Sequence, residues 1–138
     1  MADQVDASVL WRASTHAGIS GLVAASRIFF VSIPESTSIG TRADQLENAL
    51  VIHRVSEIPE APGSGLDGGL EHWRARFQFS AYSTTHADAR AIASEVKAAF
   101  QGYQDGTIKS CDYAGGGMDL YVPDTRVHHI PTDFFVSY

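Results

Sequence analysis

The sequence predicts an α+β domain, an antiparallel (mixed) β-sheet of four to five strands with two main helices packed on one face. Three observations lead there. From Trp73 to Ala81 every odd position is apolar (Trp73, Ala75, Phe77, Phe79, Ala81), while Arg74, Arg76, Gln78 and Ser80 fill the even ones, the period of a half-buried strand. After Thr84 the period becomes helical, with Ala89, Ile92, Ala93, Val96 and Phe100 on one side. The rest is mostly short β-prone runs punctuated by Gly and Pro, preceded by one more helical stretch.

Taken in order, Asp6 to Ser26 carries a loose apolar stripe through Val9, Leu10, Ala13, Ala17, Leu22 and Val23. Gly18 and Gly21 weaken it by about 1 kcal/mol each, so one bent helix, or two meeting near Gly18, is expected. Arg27 to Ile33 is a short β-prone run closed by Pro34. The polar segment from Pro34 is loop, with a helical turn around Arg42 to Glu47. Asn48 to Ser56 is a strand apolar on both sides at Leu50 to Ile52. The Gly- and Pro-rich stretch Glu57 to Glu71, with Asp67 and Gly68 as a turn pair, is the one long loop of a single domain spanning 1–138. The strand from Trp73 pairs antiparallel with the preceding one across that loop. Thr85 with Asp88 forms an N-cap and first-turn acid for the second helix, and Gly102 ends it. Thr107 to Tyr113, Met118 to Val122 and Arg126 to Tyr138 are further strands. AGGG (114–117) is a turn between the first two, and Pro131 marks a bulge or edge in the last.

The 138 residues suit one domain that buries its own core. Ten basic against 16 acidic residues, a formal charge of −6, argue against a surface that grips nucleic acid through its phosphates. Cys111 is the single cysteine, so no disulfide forms within the chain; a buried thiol in a reducing compartment is expected. The N-terminal stretch lacks the pattern of a secretory signal and no run is long enough to span a bilayer, so the chain is expected to be cytosolic when made.

Catalytic chemistry finds little support. His53, His72, His86, His128 and His129 lie in or beside β-like runs, with Asp124 and Asp133 near the last two, but there is no HExxH, HxH or Cys/His cluster. Adjacent His128 and His129 point to opposite faces of a strand and do not share an ion. Cys111 has no evident base, no GxSxG occurs, and the glycine clusters fit no phosphate loop. No catalytic residue, metal or cofactor is expected. Arg74 and Arg76 form either a solvated face or an interface stripe.

The pattern resembles the tail terminator, or tail completion, proteins of long-tailed bacteriophages. The likeness rests on three pieces: FQFSAYSTTHADARAIASEVKAAF (77–100), a strand running into an Ala-rich helix; the closing run DTRVHHIPTDFFVSY (124–138); and the opening helix leading to RIFFVSIPE (27–35). The chain departs from that pattern in lacking a proline before its second strand and in its long 57–71 loop. The resemblance implies a virion protein made in the host cytoplasm and no enzyme. It implies a ring, usually six-fold, on the head-proximal end of the tail tube, which stops tube polymerisation and presents a surface to the head–tail connector. The partners implied are other copies of the chain, the major tail tube protein and the connector protein, with DNA passing through the lumen unbound. Candidate interface residues are Arg74 and Arg76 on the strand, Arg90, Glu95 and Lys97 on an outer helix face, and Asp67 in the loop. Replacing Arg74 and Arg76 together by glutamate is expected to spare folding and impair assembly. Two alternatives stand beside this: a small-ligand-binding or enzymatic domain using His53, Arg74, Arg76 and His128 on an open sheet face, and another head–tail connector component.

Overall fold

The computed structural model describes residues 2–30, 48–59, 73–123 and 127–138. The expected loop and turn between Pro34 and Glu47, the part of the long loop that holds Asp67, His72 and Asp124 all lie outside the described residues.

The opening helical stretch divides into α1 (Ala2–Thr15) and α2 (Ala17–Ser20), parted where His16 takes an extended conformation, two residues before Gly18. Val5, Val9 and Ala13 recur at helical spacing and are fully buried. A 3-10 turn at Ala25–Arg27 leads into β1 (Ile28–Phe30). Then follow β2 (Ala49–Pro59), β3 (Trp73–Ser83), α3 (His86–Phe100), β4 (Ser110–Gly116), β5 (Leu120–Val122) and β6 (Val127–Ser137).

The strands make one mixed sheet in the order β1-β2-β3-β6-β4, with β5 also paired to β6. It has six strands rather than four to five because both three-residue runs, β1 and β5, join it; β1 lies parallel to β2 and every other pair is antiparallel. The expected β2–β3 pairing holds, with Ile52 opposite Phe79, and a bulge at Val55 shifts the register between Arg54 and Ser56. β2 continues through Glu57 to Pro59, so the first three residues assigned to the loop are strand.

The alternation in β3 sorts as expected. Ala75, Phe77, Phe79 and Ala81 are buried on the side of α1 and α3, and Arg74, Arg76 and Gln78 lie on the opposite face. Phe79 packs on Phe100 of α3 at 4.5 Å and edge-on to Phe134 of β6 at 5.8 Å, with Leu50, Ile52, Ile92, Val96 and Val136 around them. The start of α3 is fixed locally, since Thr85 Oγ1 accepts the Asp88 N–H at 3.2 Å. At its other end Gly102 takes φ +76° and donates to the Cys111 carbonyl at 2.8 Å.

Three local expectations are overturned. Residues 114–116 of AGGG are not a turn but the end of β4. Gly115 and Gly116 adopt φ +134° and +131°, and a Cβ on Gly116 would lie 2.4 Å from the Pro131 carbonyl oxygen. These glycines let β4 close on β6 at a bulge. Pro131 sits in β6, which is central, not at an edge. Its carbonyl accepts the Gly117 N–H at 2.9 Å on the flank where β4 ends and β5 has not begun. In an extended strand its nitrogen faces the same flank, so no ladder bond is lost. β4 also starts at Ser110 rather than Thr107, because the Asp105 carboxylate accepts the N–H groups of Thr107 and Ile108 at 2.7 and 2.6 Å and turns the chain there.

Candidate assembly interface

On the sheet face away from the helices the two candidate arginines play different parts. The Arg74 guanidinium lies over the Phe135 ring, 4.2 Å from its centroid. Arg76 binds Asp133 of β6 through Nη2 and through Nε at 2.9 Å. The Asp133 side chain is 9% exposed against 45% for Arg76, and Asp133 Oδ1 has no hydrogen-bond partner among the described residues. Arg76 is therefore the counter-charge of a buried carboxylate. Replacing it by glutamate is therefore expected to cost stability, against the expectation that the double reversal spares folding. Towards β1 on the same face, His129 stacks flat on Tyr82 with ring centroids 4.4 Å apart, and burial holds its pKa below the ordinary imidazole value.

The helical candidates also separate. Arg90 and Lys97 sit two turns apart on one side of α3. With Ala93 and Ser94 they wall a groove of about 400 Å³ whose other wall is Tyr113, Gly116, Gly117 and Thr132 of the β4 region and β6. Arg90 Nη1 donates to the Gly117 carbonyl at 3.3 Å, and Lys97 Nζ lies 4.3 Å from the centre of the Tyr113 ring. Neither cation meets a carboxylate among the described residues. Glu95 does not share this face. It packs against α2, its carboxylate so close to Gly18 that a Cβ there would lie 1.9 Å from Oε2. The 100° helical step alone turns Glu95 about 140° from Arg90, a signal the sequence carries. Tyr113, Gly116 and Gly117 join the groove because the glycine run bends β4 under α3, which only the pairing with β6 shows. Asp67 lies outside the described residues.

Other polar groups are engaged structurally. Arg54 of β2 pairs with Asp6 of α1 and, at 2.8 Å, with Glu57, which also accepts from the Tyr138 hydroxyl. Burial alone would lower the Arg54 pKa, but its bond to Asp6 and the charges of Asp6 and Glu57 outweigh it and raise it. The Tyr138 hydroxyl is pushed up by burial and then by Glu57. Cys111 is fully buried, and burial, with the nearby charge of Asp112, raises its thiol to about 12, far from the thiolate a nucleophile needs.

His86 Nε2 and His128 Nδ1 converge on Asp119 at 3.3 and 3.1 Å, joining the start of α3 to the β4–β5 connection and β6. No group of three or more His, Cys, Asp or Glu side chains among the described residues is arranged to hold a metal ion. His128 pairs with Ser83 in the register that faces the helices, opposite to Arg74 and Arg76, while exposed His53 lies opposite Gln78. The four residues of the ligand-binding alternative thus do not line one site.

The fold is similar to that of a chain from a solved structure described as "Virion of native gene transfer agent (GTA) particle", with a TM-score of 0.64 and 14% sequence identity. The match covers 94% of this chain and 90% of that one. At this identity the likeness is one of fold. No family model matches the chain, and no curated protein does.

Proposed function

We propose that this chain is a structural virion protein that forms a closed, six-fold ring on the head-proximal end of a phage tail tube, ends tube polymerisation and presents the surface to which the head connector joins. The observation that carries this is the similarity of fold over nearly the whole of both chains to a chain from a gene transfer agent virion. The residue patterns that resemble tail terminator proteins support the same role. Among the described residues, Arg54, Arg76 and Asp119 hold elements of the protomer together.

Such a role needs interfaces, not chemistry. A ring closes when one surface of the protomer fits a different surface of the next and the rotation between them divides a full turn. Termination follows when the ring's tube-facing side matches the last ring of tube protein and its other side does not. A formal charge of −6 suits a lumen through which DNA slides, because like charge keeps phosphates from binding.

Electron microscopy of the purified chain mixed with its tail tube protein tests the proposal. Rings seated on one end of each tube, with no further growth at that end, are the expected result. Tubes that elongate equally at both ends in the presence of the chain would overturn it.

A further inference from the structure

We infer that the groove between α3 and β4 is a docking site for an acidic segment of a second copy of this chain, namely residues 60–71. This rests on the ring proposed above and assigns one of its contacts.

Three observations carry it. The groove has about 400 Å³ of open volume, enough for a few side chains, and its polar lining includes Ser94, Thr132 and the backbone of Gly116 and Gly117. Both of its charged residues, Arg90 and Lys97, are cations without a carboxylate among the described residues, whereas Arg54 and Arg76 are each paired within the protomer. In a chain with six more acids than bases, two cations that face one groove and meet no carboxylate among the described residues single out that surface as the place for an anion.

The occupant follows from the sequence. No Lys or Arg falls between Arg54 and Arg74, and residues 60–71 carry Glu60, Asp67 and Glu71 among four glycines and a proline. The segment begins after Pro59 and ends before Trp73, which pair with each other at one end of the sheet. Twelve residues anchored at both ends cannot extend more than about 20 Å from that pair, which is far enough to reach a neighbour packed alongside. A cationic groove on one protomer and an acidic segment of the next make the two unlike surfaces that a heterologous ring contact requires.

The contact itself resists strand addition. On the outer edge of β4 the Cys111 carbonyl already accepts from Gly102 and the Tyr113 N–H already donates to the Gln101 side chain at 2.9 Å. Side-chain charge rather than backbone pairing is left to define the partner.

Sedimentation velocity on the full chain tests this with four proteins: wild type, R90E/K97E, E60K/D67K/E71K, and the five changes combined. The wild type is expected to self-associate in a salt-sensitive way. Each set of reversals alone should weaken association about tenfold or more, and the combination should restore much of it. Thermal melts followed by circular dichroism check that each variant folds. Wild type that stays monomeric at all concentrations in low salt, R90E/K97E that associates like wild type, or a combination no better than either set alone would overturn the inference. Failure here is distinct from failure of the ring proposal. If R90E/K97E still caps tubes, the groove assignment falls and the capping role stands. If the charge swap restores association but tubes grow unchecked, the reverse holds.

Discussion

Replacing Arg76 by alanine removes the only side-chain partner found among the described residues for a carboxylate that is 9% exposed. At about 4 Å and an effective dielectric near 20, opposite charges attract by roughly 4 kcal/mol before desolvation is counted. Stranding a buried charge commonly costs about 3–5 kcal/mol. Arg76 itself is 45% exposed, so water enters when it is removed, and the loss should fall to about 2–3 kcal/mol. Urea unfolding of wild type, R76A, D133A and R76A/D133A measures it as a cycle. The double variant should be more stable than the sum of the singles by at least about 1 kcal/mol, because deleting Asp133 removes the stranded charge. R76A within about 0.5 kcal/mol of wild type, or no coupling in the cycle, would refute the structural role given to this pair. R74E, whose arginine rests on the face of Phe135, is the cleaner probe of assembly through this sheet face.

Three further outcomes follow from the fold. Gly116→Ala should cost more than about 2 kcal/mol, since the left-handed backbone and the contact with the Pro131 carbonyl both oppose a Cβ, and a melt unchanged from wild type would contradict the close β4–β6 approach. Thr85→Ala should destabilise by about 1 kcal/mol through loss of the bond to the Asp88 N–H, as read by urea midpoint. The Cys111 thiol is raised from 9.0 in the unfolded chain to about 12, so its contribution is intact below pH 9 and is lost as pH rises towards 12. Between pH 9 and 10.5 wild type should lose about 1 kcal/mol per pH unit more than C111A, and parallel pH profiles would show that the thiol is not buried as described.

What the sequence reveals and what it hides divide along physical lines. β3 and α3 were legible because each is long, amphipathic and locally capped, so period and capping residues point the same way. The β-prone runs that hold β1 and β5 were also legible, but only three residues of each are strand, and their places in the sheet come only from pairing with β2 and β6. Pro131 looks like an edge residue because the rule concerns a missing donor. The gap between β4 and β5 that makes the donor unnecessary arises from tertiary register. The glycines at 115 to 117 suggest a turn for the same reason, since positive φ serves a bulge as well as a turn. For the candidate interface, residue identity marked Arg74, Arg76, Arg90 and Lys97 as cations of interest. Only the pairing with Asp133 shows that Arg76 is spoken for, and only the bend of β4 shows that Arg90 and Lys97 share a groove.

The decisive observation is tail length in the absence of the chain. In electron micrographs of particles assembled with the gene for this chain deleted, tail tubes should overgrow and lack heads, with normal length and joining restored by the wild-type chain. Tails of normal, uniform length without it would contradict the capping role.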